Sequence, residues 1–138
     1  MKKLWKCKKC KRIFEKKNQP HSCNLCPIEE HFKNKEKMKP LFNEFKETAR
    51  KKIGNFRIES LPCCIHLVKN PVYAFACVYI LKDRIRVSFS LNYKIKSSRI
   101  TKFAKIFGSY KYLIDFKGER EIDKELLDWI KQAYQHPK

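Results

Sequence analysis

Four of the seven cysteines fall within the first 26 residues, as Cys7, Cys10, Cys23 and Cys26, with His21 among them. Two thiolates separated by two residues can reach one ion while backbone N–H groups of the intervening turn steady the sulfurs, and zinc takes four such ligands in a tetrahedron. Cys7 and Cys10 make one knuckle of this kind. Counted on cysteines alone, Cys23 and Cys26 make a second, giving Cys-x2-Cys-x12-Cys-x2-Cys, the spacing of a zinc ribbon. His21-Ser-Cys23 offers another solution, with His21 as a ligand and Cys26 spare; His31 is a more distant candidate. The metal residues are therefore sought among Cys7, Cys10, His21, Cys23 and Cys26, for a structural Zn2+. A closed four-ligand site leaves no position for water, which points away from zinc catalysis.

Elsewhere no catalytic set stands out. There is no glycine-rich phosphate loop, no Gly-x-Ser-x-Gly elbow and no His-Glu-x2-His. Nuclease chemistry wants clustered carboxylates around a divalent ion, whereas Glu119, Glu121, Asp123, Glu125 and Asp128 sit where helix capping and the helix dipole explain them. Cys63, Cys64 and Cys77 read as buried thiols, and His66, between Ile65 and Leu67, as a satisfied sheet histidine. The alternation Arg84-Ile-Arg-Val-Ser-Phe-Ser-Leu sets Arg84, Arg86, Ser88 and Ser90 on one strand face. Extended by Lys94, Lys96, Arg99 and Lys102, that face is the candidate nucleic-acid surface, since basic and hydroxyl side chains suit phosphate oxygens and carry little base information. The plain alternative is a solvated sheet face.

The charge agrees with a polyanionic partner. The 33 basic residues face 14 acidic ones, for a net +19 and a pI near 9.8, an excess that favours DNA, RNA or a membrane surface. A lysine-rich, glycine-poor composition also suits an A+T-rich coding bias, but such a bias would raise Glu alongside Lys. No basic arm separates off: residues 1–60 hold 18 bases and 7 acids, residues 61–138 hold 15 and 7. No apolar run approaches the ~20 residues that span a bilayer, and Met1-Lys-Lys-Leu-Trp-Lys-Cys7 lacks the apolar region of a signal peptide. A cytoplasmic protein with no membrane partner is expected. Thiols stay reduced there, which together with the odd cysteine total favours metal over disulfides.

The elements that must position these residues follow from periodicity. Before Pro27 the apolar residues are too few for a core without a staple. Leu41, Phe42, Phe45, Ala49 and Ile53 recur at helical spacing, and Gly54 can end that helix. Strand chemistry follows in 56–59, 63–68, 72–81 and 84–91, with Lys82-Asp83 closing a hairpin between the last two. Residues 99–107 fit either a helix or a strand, whereas 110–116 alternate as a strand. Asp123 can cap a last helix with Leu126, Trp129, Ile130 and Ala133 as its buried stripe. The sum is an α+β fold, a mainly antiparallel β-sheet flanked by helices with an N-terminal zinc-ribbon-like knuckle, divided as 1–27 and 28–138.

Trp5-x-Cys7-x2-Cys10-x-Arg12-x-Phe14-x3-Asn18-Gln19-x-His21-Ser-Cys23, then Glu30-His31-Phe32, and near the end Ile122-Asp123-x2-Leu126-x2-Trp129-Ile130-x2-Ala133-Tyr134, resembles a bacterial family of unknown-function α+β domains preceded by a zinc knuckle. The likeness runs from about Leu4 to Tyr134. It implies Cys7, Cys10, His21 and Cys23 as the metal set, and relatives attached to restriction and DNA-modification proteins. The chain departs from the family pattern at Lys8, where Pro is common, and at Lys11, where Gly is common; Lys11 must then hold a backbone angle that glycine adopts freely. The expected function is a non-catalytic, zinc-binding module that engages nucleic-acid phosphates. The alternative is a protein-interaction or small-ligand domain in which zinc is purely structural, with an apolar concavity around Tyr73, Phe75 and Tyr79.

Overall fold

The computed structural model describes residues 4–14, 16–19, 26–69, 73–106 and 108–135. Strands β1 (Trp5–Lys6) and β2 (Ile13–Phe14) pair as a small antiparallel ribbon. The rest builds one antiparallel sheet from β3 (Arg57–Ser60), β4 (Ile65–Lys69), β5 (Tyr73–Ile80), β6 (Ile85–Leu91), β7 (Ile100–Ile106) and β8 (Ser109–Phe116), in the order β3-β4-β5-β6-β8-β7. Two helices, α1 (Lys39–Lys52) and α2 (Lys124–Gln135), complete it. Among the described residues no helix is long and apolar enough to cross a membrane.

Both helices lie on one face of the sheet. Helix α1 buries Leu41, Phe42, Phe45 and Ala49, the stripe its spacing predicts, and Phe45 meets Phe116 of β8 with ring centroids 5.3 Å apart. Helix α2 opens with Asp123 accepting the Leu126 N–H through Oδ1 at 3.1 Å, the N-cap expected of it. Its far end is tied down by the Tyr73 hydroxyl, which donates to the Ala133 carbonyl at 2.9 Å. Ile85, Val87, Phe89 and Leu91 of β6 are all buried, as are Tyr112, Ile114 and Phe116 of β8. At roughly 1.5–3 kcal/mol for each large side chain removed from water, this layer dominates the fold's stability.

The ambiguous stretch is the edge strand β7. Its helix-like spacing arises because Ile100 and Phe103 stand opposite Ile114 and Tyr112 across a register shift between Ile100 and Lys102, and one extra residue in a strand mimics a period of three. A second irregularity matters more. Leu67 pairs with Ala76 and Val68 with Ala74, so Phe75 is an extra residue in β5. Phe75 turns to the helix side, against Phe56 and Tyr134, and the residues beyond it change face.

The N-terminal ribbon sits against the other face of the sheet. Trp5 packs on Phe14 at 5.9 Å, and Cys7, Cys10 and Phe14 form a small core of their own. Arg12 Nε donates to Glu59 of β3 at 3.0 Å, and the Cys26 N–H to the Ser60 carbonyl at 3.2 Å. Lys11 has φ +67°, the left-handed angle that glycine adopts freely. Single-turn 3-10 segments at Ile28–Phe32 and Glu36–Met38 lead into α1.

Candidate functional site

On the ribbon side of the sheet, one polar row runs across four strands: Glu59 opposite His66, His66 opposite Cys77, and Cys77 opposite Ser88. Cys64 precedes His66 by two residues, so strand alternation turns it to the same side. The ligand atoms of Cys64, His66 and Cys77 all lie within 4.8 Å of one another, and among the described residues this is the one group of three such ligands close enough to share an ion. The extra residue Phe75 is what aims Cys77 at His66: without it, Ala76 would stand on this side and Cys77 would face the helices.

The three side chains shift one another's proton affinities. A hydrogen bond from Cys64 holds the Cys77 thiol far below its usual range, to about 4, against the opposing effect of burial and with help from His66 and Ser88. Cys64 is pushed up, first by its bond to Cys77 and then by burial. His66 is raised by Cys77 more than burial lowers it. Cys77 is thus the more acidic thiol of the pair, and Ser88 opposite it is only 3% exposed. Two sulfurs and one imidazole are ligands that soft and borderline metals take, so the group can hold a metal ion. Cys64 is buried and Cys77 half-buried, but Cys63, expected to be buried, is exposed. It lies on the tight turn closed by the Leu61 N–H to the Cys64 carbonyl, with its sulfur 3.6 Å from that of Cys64. His66 also lines a hollow of about 260 Å³ between the ribbon and the sheet, with Arg12, Gln19, Phe14, Arg57 and Glu59.

Of the expected zinc residues, Cys7 and Cys10 are buried on the turn that bonds the Lys11 N–H to the Cys7 carbonyl and the Cys7 N–H to the Arg12 carbonyl, each at 2.9 Å. His21 and Cys23 lie outside the described residues. Cys26 has its sulfur 3.5 Å from both His31 Nε2 and Ser60 Oγ. Cys64, His66 and Cys77 were not grouped by sequence reasoning. The Cys-x-His pair at strand spacing was a legible signal; the third member depends on a register that only the fold fixes.

The expected nucleic-acid surface divides in two. Arg86 bonds both oxygens of Asp115, at 2.7 and 3.0 Å, and Arg84 approaches the same carboxylate at 3.5 Å. Arg99 reaches Asp123 at 2.7 Å, Glu125 at 3.2 Å and the Glu121 carbonyl at 2.7 Å, so it locks the start of α2 to the segment before β7. Among the described residues no carboxylate pairs with Lys94, Lys96, Lys102 or Lys105. These lysines surround β7, where Phe103 is 49% exposed. Its ring stacks on Tyr110 and Tyr112 at 6.1 and 5.9 Å, with Lys94 Nζ 5.6 Å above it. Tyr93, on the preceding loop, is 43% exposed. Of the residues expected to line a rival concavity, Tyr73 and Phe75 border a hollow of about 250 Å³ with Phe89, Ser88 and Lys111, whereas Tyr79 is not part of its lining and lies near Cys64.

Residues 28–137 match the family model described as a domain of unknown function (DUF5655). No curated protein and no solved structure matches the chain.

Proposed function

The chain belongs to the DUF5655 family, so its chemistry has to be argued from its side chains, and we propose that it is a non-catalytic nucleic-acid-binding module, with zinc in a structural role, whose contact surface is the β7 edge. The observation that carries this reading is Phe103: a half-exposed aromatic ring stacked on two tyrosines with Lys94 over it, on a strand edge whose neighbouring lysines have no carboxylate partner among the described residues. Aromatic rings on a sheet accept unpaired bases by stacking, and lysines alongside follow the backbone phosphates. Duplex DNA hides its base faces, so single strands are the fitting ligand. The overall charge of +19 adds long-range attraction.

The test is a salt-series titration of the zinc-loaded protein against single-stranded DNA, RNA and duplex DNA. The expected result is binding to single strands with a log–log salt slope of about −0.7 per phosphate neutralised, weakened by about 1–3 kcal/mol in Phe103→Ala. No binding to any of the three at low salt would overturn it. A protein-interaction reading draws on the same place, since among the described residues the outer edge of β7 pairs with no strand and an extended peptide could add there. Lys102 and Lys105 on that edge oppose it, as edge lysines do.

A further inference from the structure

We infer that Cys64, His66 and Cys77 form a zinc site of their own, separate from the N-terminal knuckle and open at one coordination position. The inference is independent of the nucleic-acid reading.

Tetrahedral zinc, with bonds of about 2.3 Å to sulfur and 2.0–2.1 Å to nitrogen, sets its ligand atoms roughly 3.5–3.8 Å apart. The three ligand atoms already lie within 4.8 Å of one another, so a contraction of at most about 1 Å brings them to that spacing. Cys64 closes the turn that leads into β4, while His66 of β4 and Cys77 of β5 stand opposite each other where the backbone is fixed by ladder pairing. An outer-shell partner stands in place as well. Ser88, buried and directly opposite Cys77 on β6, is placed to support that sulfur, as groups around metal-bound thiolates do. Two thiolates and a neutral imidazole bring a divalent ion to neutrality in a partly buried place. Within the sheet this stitches the β3–β4 turn to β5.

Cys63 does not complete the set. Its sulfur is 3.6 Å from that of Cys64, but the residue is exposed and falls outside the mutually close group. Three protein ligands leave the fourth position to water or an external ligand, in contrast to a closed structural site.

The experiment uses the full chain, reduced and metal-free, titrated with Zn2+ and pulse-labelled with iodoacetamide, with each cysteine followed by mass spectrometry. Zinc is expected to abolish labelling of Cys64 and Cys77 while Cys63 remains reactive. In His66→Ala that protection should be lost at both sulfurs, and in Cys77→Ser it should be lost at Cys64, with the response of Cys7 and Cys10 unchanged in each. Reading every cysteine in one sample separates this site from the knuckle, and the unsubstituted chain distinguishes the outcomes even where a variant fails to fold. Labelling of Cys64 and Cys77 that is indifferent to zinc overturns the site; protection that extends equally to Cys63 overturns the open position.

Discussion

Arg86 shows how a side chain chosen for its charge can be claimed by its own fold. Sequence alternation placed it correctly on the ribbon-side face of β6, but Asp115 lies directly opposite on β8, and its two hydrogen bonds fix the guanidinium against a carboxylate only 13% exposed. Charge-assisted bonds of this kind contribute about 1.5–3 kcal/mol where they are partly shielded from water. Arg86→Ala is therefore expected to lower stability by about 1–3 kcal/mol in urea unfolding, and to change affinity for single-stranded nucleic acid far less than Phe103→Ala does. An affinity loss in Arg86→Ala matching that of Phe103→Ala, at unchanged stability, would return the binding surface to β6. What the sequence could not reveal here was cross-strand pairing: Arg86, Asp115 and Arg99 each look like surface charge until a partner far along the chain is placed beside them. Residues whose surroundings are local were readable, as with Asp123 capping α2 and Lys11 holding the angle of an absent glycine.

At the scale of elements, the ends of α1 and α2 are locked together by one glycine and one tyrosine. Gly54, just past α1, has φ +148°, and a Cβ there would lie 2.8 Å from the Tyr134 hydroxyl and 2.9 Å from its ring carbon Cζ. That hydroxyl in turn donates to the Asn55 carbonyl at 2.9 Å. Gly54→Ala should destabilise by about 1–3 kcal/mol, combining backbone strain with the clash, and the penalty should shrink in a Tyr134→Ala background, because the two residues touch. Equal penalties in both backgrounds would mean that backbone strain alone is responsible. Tyr73 provides a second, pH-dependent tie. Burial raises its phenol above the ordinary value while its hydroxyl holds the Ala133 carbonyl. Because the folded state resists ionisation, this contribution is complete below the unfolded value near 10 and is lost as pH rises through the folded one. Stability measured from neutral to alkaline pH should thus fall more steeply in the wild type than in Tyr73→Phe, which begins lower by about 0.5–1.5 kcal/mol at neutral pH; parallel curves would refute the tie. Helices and most strands were legible because their apolar periods are local. The extra residue Phe75 was not, since Tyr73-Ala-Phe-Ala-Cys77 alternates faultlessly on paper, and with it the face of Cys77 stayed hidden.

For the whole molecule, the sheet divides two kinds of stability. On the helix side a continuous layer runs from Phe32 through Phe45, Ile65, Val87 and Phe116 to Ile130, all buried, and a core of this size holds without a metal. On the other side the ribbon has Cys7, Cys10 and Phe14 with Trp5 against them, too little to fold without a staple. The two tryptophans fall one to each part, Trp5 in the ribbon and Trp129 in α2, so each reports separately once the other is replaced by phenylalanine. A chelator added under reducing conditions should shift the emission of Trp5 toward that of a solvated indole while leaving Trp129 emission and the β-sheet circular dichroism in place. Zinc bound to the native state alone stabilises by mass action, and a ligand cluster on β4 and β5 lies in the layer that the apolar core already fixes. Its removal should therefore lower the midpoint for unfolding the main sheet without melting it at room temperature. Simultaneous loss of both tryptophan signals would show that ribbon and sheet fold as one cooperative unit, and that the docking of Arg12 on Glu59 carries more of the stability than its single ion pair suggests.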